Sequence, residues 1–375
     1  MTLNIAFTAF DVLMVVATIG LLACWLAVLP RHADYRVLET PVLHLLGLSI
    51  ALLTLSSLGI LVSRTLELDG GSWTQLFADM PLALKVTHYG HVWLFRIPAL
   101  VLLWFGWVWG ARHRDHRWSA WLMLIGVAAI ALTRSETGHP ADHGDFTLAV
   151  WVDWLHLLSG SVWVGSLFGM SLAIFPKLLR RGVTANEETA VVFQRLSTLS
   201  GIALAIILAT GIFTAVGELQ SWHALWTSSY GRVLDVKVFL VILMIAFGAH
   251  NRYAKLPPLL QSVGKPAKET SFTKIFRTLM PNTFSGSGNI LRSCARTVYA
   301  ESVLGVGVII AASALLHGMP PADMRNLPGM QMSQRSTPTV AHEVTGYTPH
   351  QSEGRHAIIL AGAPQTRLPE NRPRV

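Results

Sequence analysis

Charged side chains are scarce in this sequence of 375 residues, since Asp, Glu, Lys and Arg together make up only 13% of it. Soluble globular domains carry about 25%. Hydrophobic residues make up 52%, and the mean hydropathy is +0.47. So few charges cannot cover a surface that faces water, and most of this surface is therefore expected to face lipid.

Cysteine is also rare, with Cys24 inside an apolar run and Cys294 in a basic connection. No CxxC pair exists, which argues against a disulfide framework and a thiolate zinc site. The chain lacks a P-loop, the CPC and aspartyl-phosphate motifs of P-type ATPases, and any clear Ser/His/Asp arrangement. These absences argue against an ATP-driven pump and against an enzyme.

Eight apolar runs are long enough to cross the hydrocarbon core, which takes about 20 residues of helix. They lie at 8–30, 41–62, 89–110, 118–134, 148–176, 196–217, 232–251 and 299–317. The sequence therefore predicts an all-α membrane protein with eight transmembrane helices.

The formal net charge is +8, and its Lys and Arg residues concentrate in particular connections between the runs. The connections after runs one, three, five and seven hold seventeen Lys and Arg residues. The connections after runs two, four and six hold about four. Because Lys and Arg favour the cytoplasmic side, both termini are predicted to face outward. We interpret this charge as an orientation signal and expect no nucleic-acid partner.

Two parts of the chain match each other at one spacing. The segment HYGHVWLFR at 88–96 matches SYGRVLDVK at 229–237, and nearly the same spacing separates Asp11 from Asp153. We therefore predict two four-helix halves, 1–134 and 135–321, related as a parallel repeat. The basic connection 252–298 is either partly a short helix on the inner membrane surface or a loop. The tail 322–375 is predicted to be largely disordered outside the membrane.

Ionisable side chains inside the runs need a physical reason, because one charge at the bilayer centre costs roughly 2.5–3.5 kcal/mol. Either they line a polar path for an ion, or they pair with each other and fix the helices. The clear cases are Arg96, Asp153, His156, Asp235, Lys237 and Glu301.

The fifth run, with Asp153 and His156 on one helix face and Trp163 further along it, is the most informative. An imidazole beside a carboxylate can bind a metal, since the carboxylate fixes the ring. The alternative is a hydrogen-bonded core histidine, and the spacing alone leaves both interpretations open.

Further candidate ligands collect on the predicted outer side. Imidazole and thioether groups suit copper, and thioethers select Cu(I), so their clustering without thiolates favours copper over zinc. The methionines that follow Met319 could equally belong to a disordered tail. The candidates are His139 and His143 before run five, His88 and His91 at run three, and His317 and Met319 after run eight.

The chain resembles the CopD family of bacterial copper-resistance membrane proteins. The resemblance is carried by TGHPA and DWLHLLSGSVWVG at run five, TGIFTA in run six, YGRVLDVKVFLVILMIAFGAHNR through run seven and ARTVYAESVLGVGVIIAASALLHGMPPA at run eight. The resemblance is good over about residues 135–321. In the first half it is weaker and lies chiefly in the segment THYGHVWLFR.

The resemblance implies an eight-helix bacterial inner-membrane protein of copper uptake or tolerance, which often works with a small CopC-like copper-binding protein of the periplasm. In such a membrane the two termini, predicted from the charge distribution to face outward, would be periplasmic. It draws attention to a set of polar and aromatic positions without settling which of them bind metal: His139, Asp153, His156, Trp163, Tyr230, Arg232, Lys237, Asn251, Arg252 and Glu301. This sequence departs from the family pattern at WVGS, where a second glycine is usual, and at Met14, where a histidine aligned with His156 would be expected.

Three functions remain open from the sequence. The leading hypothesis is a copper permease with His317 and Met319 for capture, then Asp153 and His156, then polar residues of runs three and seven. The second is a membrane haem protein that uses His156 and a histidine such as His44. The third is a copper chaperone or assembly scaffold that does not transport.

Overall fold

A computed structural model describes residues 2–31, 35–68, 73–113, 118–142, 144–180, 187–219, 222–266, 271–279, 287–316 and 318. Throughout these ranges the regular structure is helical, and they contain no β-strand. His143, His317, Met319 and the tail 322–375, all named above, lie outside the described residues.

The α-helices of the described chain are α1 Thr2–Ala23, α2 Arg36–Leu68, α3 Leu76–Val86, α4 His88–Leu94, α5 Arg96–Arg112, α6 Trp118–Ser135, α7 Leu148–Gly169, α8 Phe175–Arg180, α9 Glu187–Leu219, α10 His223–Thr227, α11 Ser229–His250, α12 Leu256–Gln261, α13 Ser271–Leu279 and α14 Ser287–Leu315. Three π-helical turns follow α1, α7 and α11, at Cys24–Val28, Met170–Ile174 and Asn251–Lys255.

Eight helical segments are long and apolar enough to cross a membrane, which confirms the predicted number of spans. They are Leu3–Val28, Arg36–Leu68, His88–Arg112, Trp118–Ser135, Leu148–Arg180, Glu187–Leu219, Ser229–Gln261 and Ile290–Leu315. Most of them extend beyond the predicted runs, because hydrophobicity marks the part of a helix in hydrocarbon and not the turns that continue into the headgroup region.

The first and fifth spans, α1 and α7, pack backbone to backbone at the centre of the bundle. A Cβ atom added to Gly20 would overlap the backbone of Gly165, and one added to Gly165 would overlap the carbonyl of Val16. One helical turn after Gly20, the thiol of Cys24 donates a hydrogen bond to the backbone carbonyl of Ser166 at 3.5 Å. Small residues allow such close approach between membrane helices.

Replacing Gly165 with alanine is expected to destabilise the protein by about 1–3 kcal/mol, because the added methyl meets backbone that cannot move aside. Gly160, on the same helix, has nothing within 4 Å of an added Cβ, so Gly160→Ala is the matched control and should leave stability unchanged. Unfolding in mixed detergent micelles measures both. Equal stability of the two variants would contradict the tight crossing.

The third and seventh spans begin with the same local structure. Thr87 caps α4 by accepting a hydrogen bond from the Gly90 amide at 2.9 Å, and Ser228 caps α11 by accepting one from the Gly231 amide at 2.8 Å. Each cap hydroxyl also donates to the carbonyl four residues earlier. A side chain on either glycine would overlap the short helix before it. The two segments matched in sequence thus also match in conformation.

The long basic connection 252–298 contains the helix α13, so the prediction of a short helix there is correct and that of a loop throughout is not. Its Phe272 ring stacks on Tyr253 with ring centroids 5.7 Å apart. This contact holds α13 against the π-helical turn at the end of the seventh span.

Candidate functional site

Asp153 and His156 lie on α7, which begins where the Thr147 hydroxyl accepts a hydrogen bond from the Val150 amide. At 1.5 Å per residue from Leu148, His156 is roughly 12 Å along the helix. The Asp153 carboxylate accepts a hydrogen bond from Ser135 at 2.7 Å. Both side chains are half-buried, so neither is sealed inside the core.

Thr210 on α9 contacts the ring of His156, since its hydroxyl lies 2.9 Å from His156 Nδ1. The same hydroxyl lies 2.7 Å from the carbonyl of Ile206, to which it can donate its single hydrogen. A hydroxyl that donates to this carbonyl accepts from Nδ1, and an imidazole protonated on Nδ1 keeps its lone pair on Nε2. The contact with Thr210 thus orients the imidazole of His156.

Lys237 on α11 lies near this pair, and its charge acts on both Asp153 and His156. The described residues contain no direct ion pair between Lys237 and Asp153, whose carboxylate accepts a hydrogen bond from Ser135 instead. The result is an open group of a carboxylate, an imidazole and an ammonium contributed by α7 and α11.

The corresponding residues of the first half form a closed ion pair instead. Arg96 donates from Nη1 and Nη2 to the two carboxylate oxygens of Asp11, at 2.9 and 3.1 Å. Ser56 and Ser57 donate to the same carboxylate at 3.0 and 3.3 Å. Arg96 is 3% exposed and Asp11 is fully buried.

Arg96 also donates from Nε to Thr133 at 2.9 Å, so its planar fork is bonded on two sides. A bidentate pair of this kind is geometrically fixed. Of the two explanations for ionisable residues in the runs, the contacts of Arg96 are those of a structural pair.

A second polar group lies where the π-helical turn after α11 meets α14. Lys255 Nζ donates to the Thr297 hydroxyl at 2.9 Å, and Thr297 donates to the side-chain oxygen Oδ1 of Asn251 at 2.6 Å. The side-chain amide of Asn251 in turn donates to the Glu301 carboxylate. Lys255 also donates to the carbonyl of Ser293 at 2.9 Å. Asn251 and Lys255 belong to the π-helical turn, a feature frequent at functional sites.

The outer histidines have separate partners. His88 Nε2 lies 2.9 Å from Asp145, His91 Nε2 lies 2.8 Å from the carbonyl of Lys85, and His139 Nδ1 lies 3.3 Å from Asp142. Within the described ranges no group of three or more His, Cys, Asp or Glu side chains could hold a metal ion.

Glu136 stands beside these outer residues, where its carboxylate accepts a hydrogen bond from the Phe146 amide at 3.1 Å. Burial raises the pKa of the Glu136 carboxyl above its ordinary value, and the charge of Asp145 adds to that shift. This end of the bundle, which the charge distribution predicts to face outward, therefore carries two acidic side chains, Glu136 and Asp145, near His88.

The remaining candidates are distributed around the bundle. Trp163 is buried in the core. Tyr230 and Asp235 are half-buried on α11, and Arg232 donates to Ser229 at 3.1 Å on the exposed side. His44, the second histidine of the haem alternative, is exposed on α2.

The fold and these polar groups define a multi-pass, all-helical membrane protein with ionisable residues inside its spans. Two family models match the chain: copper resistance protein D over residues 190–315, and the copper resistance protein D-like N-terminal domain over residues 2–148. The chain belongs to the copper resistance protein D family, whose members are named for copper transport and resistance and are not known as enzymes.

Three curated relatives are similar to this chain. Copper transport protein CutJ of Bacillus subtilis is 29% identical over 205 residues, or 54% of this chain and 37% of that protein. Inner membrane protein YebZ of Escherichia coli is 23% identical over 269 residues, covering 70% and 86%. Copper resistance protein D of Pseudomonas syringae pv. tomato is 25% identical over 230 residues, covering 56% and 68%.

The chain thus spans little more than a third of the length of the Bacillus protein. No solved structure matches it.

Proposed function

We propose that this protein conducts copper ions across a bacterial inner membrane. The observation that carries the proposal is the imidazole of His156, which Thr210 orients through Nδ1 and which lies one helical turn from Asp153 on α7. Imidazole is a good copper ligand, and we choose copper as the metal because the family is one of copper resistance. We choose the inner membrane because the relative YebZ is named an inner membrane protein.

The proposed route runs along the seventh span, where Lys237 and Met244 of α11 and Asn251 of the following π-helical turn recur every seven residues. The thioether of Met244 is fully buried near the middle of the helix. A cation would pass from His156 and Asp153 towards Met244, and then to Asn251 and Glu301. A path requires ligands that release as well as bind, and single imidazole, thioether and carboxylate groups meet that requirement.

The two halves take different roles in this proposal. Their shared caps and corresponding acidic and basic residues support an ancient duplication with boundaries near 134 and 321. The closed Asp11–Arg96 pair makes the first half a structural support. The open group around His156 makes the second half the conducting one.

Capture of the metal is assigned to the outer side. His139, His143, His317 and Met319 would offer the first ligands there, and a CopC-like periplasmic protein would deliver copper to them. This part of the proposal follows from the predicted outward direction of both termini, which rests on the distribution of Lys and Arg.

Metal flux in proteoliposomes tests the function. We expect entry of Cu(I) or Cu(II) at rates well above those of empty liposomes, and little entry of Zn(II), because a route with a thioether favours the softer metal. An encapsulated metal-sensitive dye reports the initial rate. Stoichiometric copper binding with no flux above that of empty liposomes would instead support a copper chaperone.

A further inference from the structure

The sixth and seventh spans, α9 and α11, are not packed against each other across the membrane. Helix α9 packs on α7, and α11 packs on α14. The two are joined at the inner end, where Arg252 donates to the carbonyl of Ser197 at 2.9 Å and α12 contacts α9. A seam between α9 and α11 is therefore left above that junction.

The corresponding seam of the first half is closed by tryptophans. Three indole N–H groups of the third span donate to the second span α2: Trp93 to the carbonyl of Ser57 at 3.1 Å, Trp104 to Thr54 at 3.1 Å and Trp107 to the carbonyl of Leu43 at 2.9 Å. The matched segments align these tryptophans with Leu234, Ile245 and Gly248. None of the three can donate from an indole, so the second half lacks this closure.

Open space lies beside His156 within the second half. Gly160 is one helical turn further along α7 on the same face, and nothing lies within 4 Å of an added Cβ there. The part of α7 beyond Gly160 is closely packed, as at Gly165. The space at Gly160 lies on the face of α7 that carries Asp153 and His156.

The groups on this face are polar and only half-buried: Asp153 and His156 from α7, and Lys237 from α11. Exposing a carboxylate and an ammonium to acyl chains is costly, whereas water or a hydrated cation satisfies both. Polar groups at membrane depth are tolerated where they line a water-filled cavity. Lipid in the seam would leave these charges without solvent.

We infer that the seam between α9 and α11 is a water-filled vestibule through which a hydrated cation reaches His156. Its use by copper rests on the proposed function, whereas the presence of water in it does not. The entrance to the site then lies at the side of the second half, and not along the centre of the eight-helix bundle.

Thiol labelling tests the vestibule. In a Cys24→Ala, Cys294→Ala background reconstituted in lipid nanodiscs, Gly160→Cys is treated with a charged, water-soluble methanethiosulfonate. The matched control is Ala205→Cys on α9, an exposed position on the helix face opposite to the one packed on α7. We expect Gly160→Cys to react at least about tenfold faster, because the reactive thiolate forms in water and not in lipid.

Equal, slow labelling of the two cysteines would overturn the inference, since it means that lipid or protein fills the seam. A monodisperse elution profile for both variants ensures that neither is misfolded. Fast labelling together with absent copper flux keeps the vestibule and removes copper as its cation. Slow labelling with normal flux removes the vestibule and leaves the transport proposal standing.

Discussion

Replacing His156 with alanine is expected to lower copper flux by about tenfold or more without lowering the yield of folded protein. The imidazole oriented by Thr210 is lost in this variant, and α7 carries no second imidazole to replace it. Initial rates in proteoliposomes measure the effect. His223→Ala removes an exposed histidine from α10 in the same half and should keep the wild-type rate.

The substitution Thr210→Val distinguishes the two interpretations of His156, as a metal ligand or as a hydrogen-bonded core histidine. Valine cannot accept the proton of Nδ1, so the imidazole is no longer held in the orientation and tautomer that present Nε2. If His156 binds the metal, flux falls in this variant while the fold is retained. Wild-type flux in His156→Ala and Thr210→Val would remove this histidine from the route, whatever their stability.

Replacing Asp11 with alanine is expected to destabilise the protein by about 3–5 kcal/mol, the usual cost of breaking a buried ion pair from one side. Arg96 would stay buried with its bidentate partner gone and with only hydroxyl groups left as acceptors. Unfolding in mixed detergent micelles, followed by circular dichroism, measures the loss.

The corresponding change in the second half, Asp153→Ala, is the control. It removes one hydrogen bond from Ser135 and no direct ion pair, and it should cost only about 1 kcal/mol. Replacing both Asp11 and Arg96 with apolar residues should recover much of the lost stability, because no unpaired charge remains. If Asp11→Ala and Asp153→Ala were equally stable, the two halves would not differ in the way proposed.

The spans could be predicted from the sequence because lipid imposes a length and a hydrophobicity on every helix that crosses it. The eight runs all correspond to helices of the structure. The repeat at 88–96 and 229–237 was visible in the sequence as well. That each copy begins a helix capped by a hydroxyl side chain could not be predicted. A cap such as Thr87 or Ser228 is a single small hydroxyl residue among many.

The pairing of side chains could not be predicted, because apolar runs do not say which helices face each other. Asp11 marked the repeat in the sequence, yet its ion pair with Arg96 needs the third span to pack beside the first and second. Thr210 begins the TGIFTA segment of run six, but its contact with His156 could not be predicted, since a threonine in an apolar run resembles any other weakly polar residue. The interaction that fixes His156 therefore appears only in three dimensions.

The Asp11–Arg96 pair also sets a condition on how the protein is made. The two residues are 85 positions apart, and at about 5–20 residues per second the ribosome needs roughly 4–17 s to travel between them. For most of that interval α1, which ends at Ala23, is already synthesised while Asp11 has no counter-ion. The first helix must therefore wait in the translocon, or beside an insertion factor, until the third helix emerges to neutralise it.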